Sequence, residues 1–168
     1  FTGWRSHTVQ VLKRSRLIQR LGPGKVSATR RHAWPTRQAA LDHFAAKPKF
    51  ARWAPGVLAD YIACGTHRVA GQMELRFTRE VETRIYNTLP HHLGRVLQRR
   101  PLRCPVGFIA GTRSTEIRQG GIERARRLAG DNLVWQEGSH LYPMEHPKET
   151  AEAVLDLLAR LQAARGTP

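Results

Sequence analysis

The sequence has few acidic residues, few cysteines and no long apolar run. It contains 28 Lys and Arg residues against 13 Asp and Glu residues, so its formal net charge is +15 over 168 residues. The longest apolar runs, such as Val154 to Leu158, are interrupted by charge and lie far below the roughly 20 residues of a membrane-spanning helix. Cys64 and Cys104 form no CxxC pair, which indicates a reduced, cytoplasmic protein without structural disulfides.

The shortage of acidic residues is most pronounced at the start, because none precedes Asp42. Such an excess of positive charge attracts phosphate groups by its field alone, so a basic module that binds nucleic acid is one interpretation. Arginine outnumbers lysine and alanine is abundant, however, which also fits a bias in coding composition. Specific nucleic-acid binding is therefore not the expected function.

The first hundred residues predict a basic arm followed by helices. Residues 1–29 show weak periodicity up to the breaker Gly22-Pro23-Gly24, so their structure is left open. Residues 30–100 predict an all-helical layer. Its expected helices begin after the N-cap Thr36, cover Ala54–Ala63, begin at Thr78, and cover His91–Arg100.

After Pro101 the pattern changes to alternating strands and helices. Strands are predicted at Val106–Ala110 and Asn132–Gln136, and the helices at Gly120–Ala129 and from Pro147 onward. A βαβα order predicts an α/β fold with parallel strands over residues 101–163, followed by a tail at 164–168.

The segment Gly138-Ser139-His140-Leu141-Tyr142-Pro143-Met144-Glu145-His146-Pro147 lies between the second strand and the last helix. It resembles the histidine loop of α/β-hydrolases, in which Leu-aromatic-Pro-hydrophobic-Glu-x-Pro follows the catalytic histidine. The resemblance implies a partial α/β-hydrolase fold, with a helical lid at 30–100 and the C-terminal part of the core at 101–163. Because the chain is short for such a fold and begins at Phe1, we expect a piece of a longer protein.

The resemblance assigns His140 as the general base. A loop at the carboxyl edge of a parallel sheet faces the usual ligand crevice, and a neutral imidazole there accepts a proton from a serine or a water. His146 is the rival, but its place just before Pro147 makes it a helix-cap neighbour.

The acid that would orient this histidine is expected after the first strand, following Gly111. That place is occupied by Ser114, which lacks the charge of a carboxylate. Glu116, two residues later, is the candidate acid in this chain; an acid outside the chain and a plain surface glutamate are the alternatives.

No Gly-x-Ser-x-Gly elbow occurs in the sequence, so neither the nucleophile nor the oxyanion donors are expected within it. The resemblance implies that the parent protein hydrolyses a small or medium apolar molecule, with an ester as the expected class and without a cofactor. A catalytically inactive relative is the alternative.

Several aromatic side chains precede the strands. Trp34, Trp53 and Tyr61, with Leu141 beside the histidine, are candidates to line a substrate pocket, although aromatic residues at helical spacing usually belong to a core. The His91-His92 pair lacks a third ligand at a useful spacing, so no metal site is predicted.

Overall fold

A computed structural model describes residues 23–88, 97 and 102–164 of the chain. The chain divides into two compact units, one that ends at Leu93 and one that begins at Gly94. Each unit is described by itself. The helix predicted over His91–Arg100 lies outside the described residues apart from position 97, as do residues 1–22 of the predicted arm.

In the first unit, helix α1 (Pro23–Thr29) lies within the segment that the sequence left open. Proline is favoured at the first position of a helix because its ring fixes φ, so Pro23 starts a helix here instead of only breaking one. Helix α1 packs against α4 (Arg79–Thr88), and Arg30 forms a 2.6 Å ion pair with Glu82. The second half of the Gly22-Pro23-Gly24 breaker is therefore part of a packed helix.

Two further helices of this unit are close to their predicted positions. Helix α2 (Arg37–Ala45) begins after Thr36, whose hydroxyl oxygen accepts a hydrogen bond of 3.1 Å from the Ala39 N–H. This satisfies one of the free N–H groups at the helix start, so the predicted cap is confirmed. Helix α3 covers Val57–Gly65, two or three residues later than the predicted Ala54–Ala63.

The prediction of an all-helical layer is wrong, because the first unit contains a three-stranded antiparallel sheet. Strands β2 (Thr66–Val69) and β3 (Gln72–Leu75) form a hairpin, and β1 (Ala33–Trp34) pairs with the other edge of β3. Both residues of the hairpin turn, Ala70 and Gly71, have positive φ, as the type I′ turn of a two-residue hairpin requires. Four-residue strands give too few alternations to stand out against the neighbouring helical pattern.

The second unit has the predicted order of strands and helices. Strand β4 (Phe108–Gly111) is followed by helices α5 (Thr115–Gly120) and α6 (Ile122–Ala129) and by strand β5 (Leu133–Gln136). The two strands are parallel, with Phe108 opposite Leu133 and Gly111 opposite Gln136, which confirms the predicted α/β arrangement. Helix α6 confirms the helix predicted at Gly120–Ala129, whereas the short helix α5 was not predicted; Gly121, with a φ of 94°, separates the two.

The unit ends with a single-turn helix, α7 (Tyr142–Glu145), and the long helix α8 (Pro147–Ala163). Leu157 of α8 is buried and lies so close to Gly107 that a Cβ there would be 2.6 Å from its side chain. Leu155 is 66% exposed and Leu158 49% exposed. Helix α8 therefore presents apolar side chains that the described part of its own unit does not cover.

Candidate functional site

The candidate site is formed by the two loops that follow the parallel strands. One loop runs from Gly111 to Ser114 after β4, and the other runs from Glu137 to Leu141 after β5. Because the strands are parallel, both loops leave the sheet at its carboxyl edge, the usual position of ligand crevices in such sheets. His140 therefore lies at the expected edge, one loop away from Ser114 and Glu116.

Hydrogen bonds join the two loops directly. The N–H of Thr112 donates to the Gln136 carbonyl oxygen at 2.9 Å, and the N–H of Arg113 donates to the Gly138 carbonyl oxygen at 2.8 Å. In the opposite direction, the Gly138 N–H donates to the Thr112 hydroxyl oxygen at 3.3 Å. The Arg113 guanidinium also pairs with the Glu137 carboxylate. The loop predicted to carry the acid and the loop that carries His140 thus form one connected edge.

Two glycines make this close approach possible. A Cβ on Gly111 would overlap the Ser139 carbonyl oxygen and lie 2.8 Å from that of Gly138. Gly138 has a φ of 130°, which side chains rarely tolerate, and a Cβ there would lie 2.7 Å from the Cβ of Tyr142. Both positions exclude a side chain, so the backbone geometry of the histidine loop depends on glycine.

Ser114 occupies the position where the resemblance places the acid, and its structural role is clear. Its side chain is buried, with 2% exposure, and forms the N-cap of α5 by accepting a 3.3 Å hydrogen bond from the Ile117 N–H. The same hydroxyl lies 3.2 Å from the Glu116 carboxylate, to which it donates. Serine at this position therefore starts the helix and contacts the nearest carboxylate.

Glu116 lies in the first turn of α5 and is exposed. The pKa of its carboxyl is lowered, first by a hydrogen bond from its own backbone N–H, and further by the Ser114 hydroxyl, the positive charge of His140 and the Thr115 hydroxyl. Desolvation opposes these effects only in part. The Glu116 carboxyl therefore has a lower pKa than an ordinary glutamate, and the protonated form of the His140 imidazole is one of the groups that favour its ionised form.

The His140 side chain is exposed to solvent, so a small molecule can reach it. Its neighbour Leu141 is half-buried in the same loop. The rival His146 occupies the N-cap position of α8, and its carbonyl oxygen accepts a 2.7 Å hydrogen bond from the Thr150 hydroxyl. His140, Glu116 and Leu141 therefore all belong to the second unit, and the rival His146 lies at the start of α8.

The other predicted pocket residues belong to the first unit. Trp34 has 0% exposure and lies in a core with Phe44, at a ring-centroid distance of 5.4 Å. Trp53 and Tyr61 are half-buried against this core, 5.6 Å apart and edge to face. Burial raises the pKa of the Tyr61 hydroxyl. Trp34 is thus a core residue, whereas a pocket-lining role for Trp53 and Tyr61 stays a prediction.

Two charged residues near His140 were not predicted as site residues. Arg113 connects the two loops, and Glu145 lies buried against the histidine turn, the backbone from Gly138 to Leu141. For Glu145 the sequence did carry a signal, because this residue is the glutamate of the Leu-aromatic-Pro-hydrophobic-Glu-x-Pro pattern that follows the histidine. For Arg113 the sequence carried no signal, because its contacts arise only when the two strands pair.

Other features of the described residues concern metals, thiols and membranes. No group of three or more His, Cys, Asp or Glu residues in the ranges 23–88 and 102–164 is arranged to hold a metal ion. Cys64 and Cys104 are free and exposed. Among the helices that the structure describes, none combines the length and apolar character needed to span a bilayer.

The fold is similar to that of the peroxisomal alpha-beta-hydrolase Lpx1 of Saccharomyces cerevisiae, with a TM-score of 0.65 and 15% sequence identity. The match covers 82% of this chain, but the chain spans only 38% of the length of that protein. No family model and no curated protein matches the sequence. At this identity the likeness shows the fold, and the fold of this chain is a partial α/β-hydrolase fold.

Proposed function

We propose that this chain contributes the general base, His140, to an α/β-hydrolase that cleaves a small or medium apolar substrate, with an ester as the first class to test. The observation that carries the proposal is the joined pair of loops at the carboxyl edge of β4 and β5. One loop presents His140, and the other leads into the helix turn that holds the ionised Glu116.

The chemistry assigns a separate task to each group. The His140 imidazole takes the proton from an attacking hydroxyl and returns it to the leaving group. A carboxylate that interacts with the imidazolium stabilises it while it carries that proton, and Glu116 is the candidate for this task. Leu141, half-buried beside His140 in the same unit, is the proposed apolar contact for the substrate.

The nucleophile and the oxyanion donors would come from sequence outside this chain, since no Gly-x-Ser-x-Gly elbow occurs within it. The 38% coverage of the similar hydrolase supports this division of labour. Exposed apolar side chains of the second unit, including Trp135 and Leu155, support the same proposal, because a remaining core segment would cover them; coverage by a second copy of the chain is the alternative. A cytoplasmic location stays a prediction.

The test measures hydrolysis of p-nitrophenyl esters by the 168-residue chain and by a longer protein from the same reading frame that includes an upstream elbow. The chain alone should show no turnover above background, because it has no positioned hydroxyl for His140 to activate. In the longer protein, His140→Ala should lower kcat at least about a thousandfold, as loss of a triad member does.

The matched control is His146→Ala, which should keep nearly full activity because His146 lies at a helix start. Normal activity of His140→Ala would remove the assignment of the base. A folded longer protein with an elbow but without turnover on any ester would rule out the ester as the substrate class, and absence of turnover on other hydrolysable apolar molecules as well would identify an inactive relative. Glu116→Gln should reduce kcat only if Glu116 is the acid.

A further inference from the structure

Glu145 combines burial, charge and a position close to His140. It is the last residue of α7 (Tyr142–Glu145), five residues after His140, and its side chain is only 3% exposed. Removing a carboxylate from water is costly unless it accepts hydrogen bonds or has a positive partner. The contacts of this carboxylate therefore indicate what its burial accomplishes.

Both carboxylate oxygens of Glu145 contact the residue before His140. The Ser139 N–H donates to Oε2 at 2.8 Å, and the Ser139 hydroxyl donates to Oε1 at 2.6 Å. These distances are typical of strong, charge-assisted hydrogen bonds. Ser139 is thus held by its main chain and its side chain at once.

The contact extends to the residue after His140. The Ser139 hydroxyl oxygen accepts a 3.0 Å hydrogen bond from the Leu141 N–H while its proton is donated to Glu145. One carboxylate therefore constrains the backbone on both sides of the histidine, directly through Ser139 and indirectly at Leu141.

The same carboxylate is connected to the loop after β4. A guanidinium nitrogen of Arg113 lies 3.6 Å from Oε2, and the Arg113 N–H donates to the Gly138 carbonyl oxygen. A Cβ on Gly138 would lie 2.9 Å from Oε2, so glycine leaves room for the carboxylate under the turn. The turn is thus built around Glu145, with a positive group on one side.

We propose that Glu145 is a positioning residue that fixes the direction of His140 by holding the peptide groups of Ser139 and Leu141. The proposal rests on the proposed role of His140 as the base, and it assigns no proton transfer to Glu145. Glutamate suits this task because two acceptor oxygens are needed at once; glutamine offers one acceptor oxygen, and its amide group donates instead.

The test is amide hydrogen exchange, followed by NMR on the full 168-residue chain. In Glu145→Gln, the protection of the Ser139 and Leu141 amides should fall at least about tenfold, because charge-assisted bonds are lost. In Ser139→Ala, the protection of Leu141 should fall by a similar factor while that of residue 139 is retained. The imidazole Cε1–H signal of His140 should shift in both variants.

Glu149→Gln is the matched control, since Glu149 is an exposed glutamate in the first turn of α8. It should change neither the two amides nor the His140 signal. The amides of Ile109 and Val134, in β4 and β5, should keep their protection in all three variants.

Unchanged protection of Ser139 and Leu141 in Glu145→Gln would overturn the proposal. An equal loss in β4 and β5 would also overturn it, because Glu145 would then stabilise the whole unit and not the histidine turn. If Glu145→Gln does not fold, the Ser139→Ala variant decides the question. Unchanged exchange protection of the Leu141 amide in that variant would show that Glu145 does not hold Leu141 through the Ser139 hydroxyl, and the proposal would be overturned. These outcomes require no catalysis, so they are independent of the esterase test of His140.

Discussion

The two units of the chain differ in how they are stabilised. Among the described residues, the first unit buries large aromatic and aliphatic side chains, whereas the second buries mainly alanines and one leucine. The buried hydrophobic residues of the first unit are Trp34, Ala40, Phe44, Phe50, Ile62, Met73 and Leu75, and those of the second are Ala110, Ala125, Ala129 and Leu157.

This difference matters because the second unit carries the candidate site. Its histidine loop is held by polar contacts, from the Arg113 N–H to the Gly138 carbonyl and from Ser139 to Glu145, and by glycines that permit close approach. The free energy gained by burying apolar side chains is proportional to the area removed from water, so the second unit gains less stability in this way within the described residues. Local hydrogen bonds, more than a large core, therefore determine the geometry of the site.

The largest expected effect comes from the aromatic core. Trp34→Ala should lower the free energy of unfolding of the first unit by about 3–5 kcal/mol, because it removes a fully buried side chain and leaves a cavity. Urea unfolding, followed by hydrogen exchange within each unit, measures the change. The control is Trp135→Ala in β5, where the side chain is 46% exposed and the cost should be about 1 kcal/mol or less. Equal costs for both tryptophans would contradict the comparison.

A smaller but more local effect is expected from Gly111. Gly111→Ala should destabilise the second unit by about 2–3 kcal/mol, because the new Cβ would overlap the backbone of Ser139, which cannot move without shifting the histidine loop. Thermal unfolding measures this loss. Gly65→Ala is the matched control: its nearest atoms lie 3.8 Å away on Tyr61, and it ends helix α3, so it should be neutral or stabilising by up to about 1 kcal/mol.

The sequence predicted the second unit better than the first, and the reason is physical. Strands β4 and β5 are apolar runs bounded by turn residues, so short-range patterns were sufficient for the second unit. In the first unit, a short-range pattern was sufficient for the cap at Thr36. The strands of the β2–β3 hairpin are only four residues long, which is too short for a clear alternation, and β1, which pairs with β3, is distant in sequence. Within the site, the position of His140 follows from strand order, whereas the Glu145 contacts depend on a tight turn that no pattern describes.

The exposed apolar face of α8 allows a third test of the difference in apolar burial between the two units. Leu155 is 66% exposed, so Leu155→Lys should weaken self-association of the chain by about 1–2 kcal/mol if this face becomes buried in the associated form. Sedimentation velocity over a range of concentrations measures the shift. Ala151→Lys introduces the same charge at another exposed position of α8 and should leave association nearly unchanged. A chain that stays monomeric at every concentration would show that the uncovered apolar surface of the second unit is tolerated.

The smallest expected effect concerns Glu116 and pH. Its folded-state pKa is lowered, first by its own backbone N–H and then by Ser114, His140 and Thr115, so the unfolded chain binds the proton more tightly. The resulting stability is present above the unfolded pKa and is lost as pH falls through the lower, folded pKa. Because the carboxylate is exposed, the contribution should stay well below about 1 kcal/mol. Glu116→Gln should therefore reduce the loss of stability of the second unit in acid slightly, whereas Glu152→Gln on α8, as control, should leave the profile of that unit unchanged.

The pKa of the Glu116 carboxyl, followed by NMR, should rise in His140→Gln, because the positive charge that favours its ionised form is removed. An unchanged pKa would show that the two side chains do not interact, and Glu116 would then lose its candidacy as the acid.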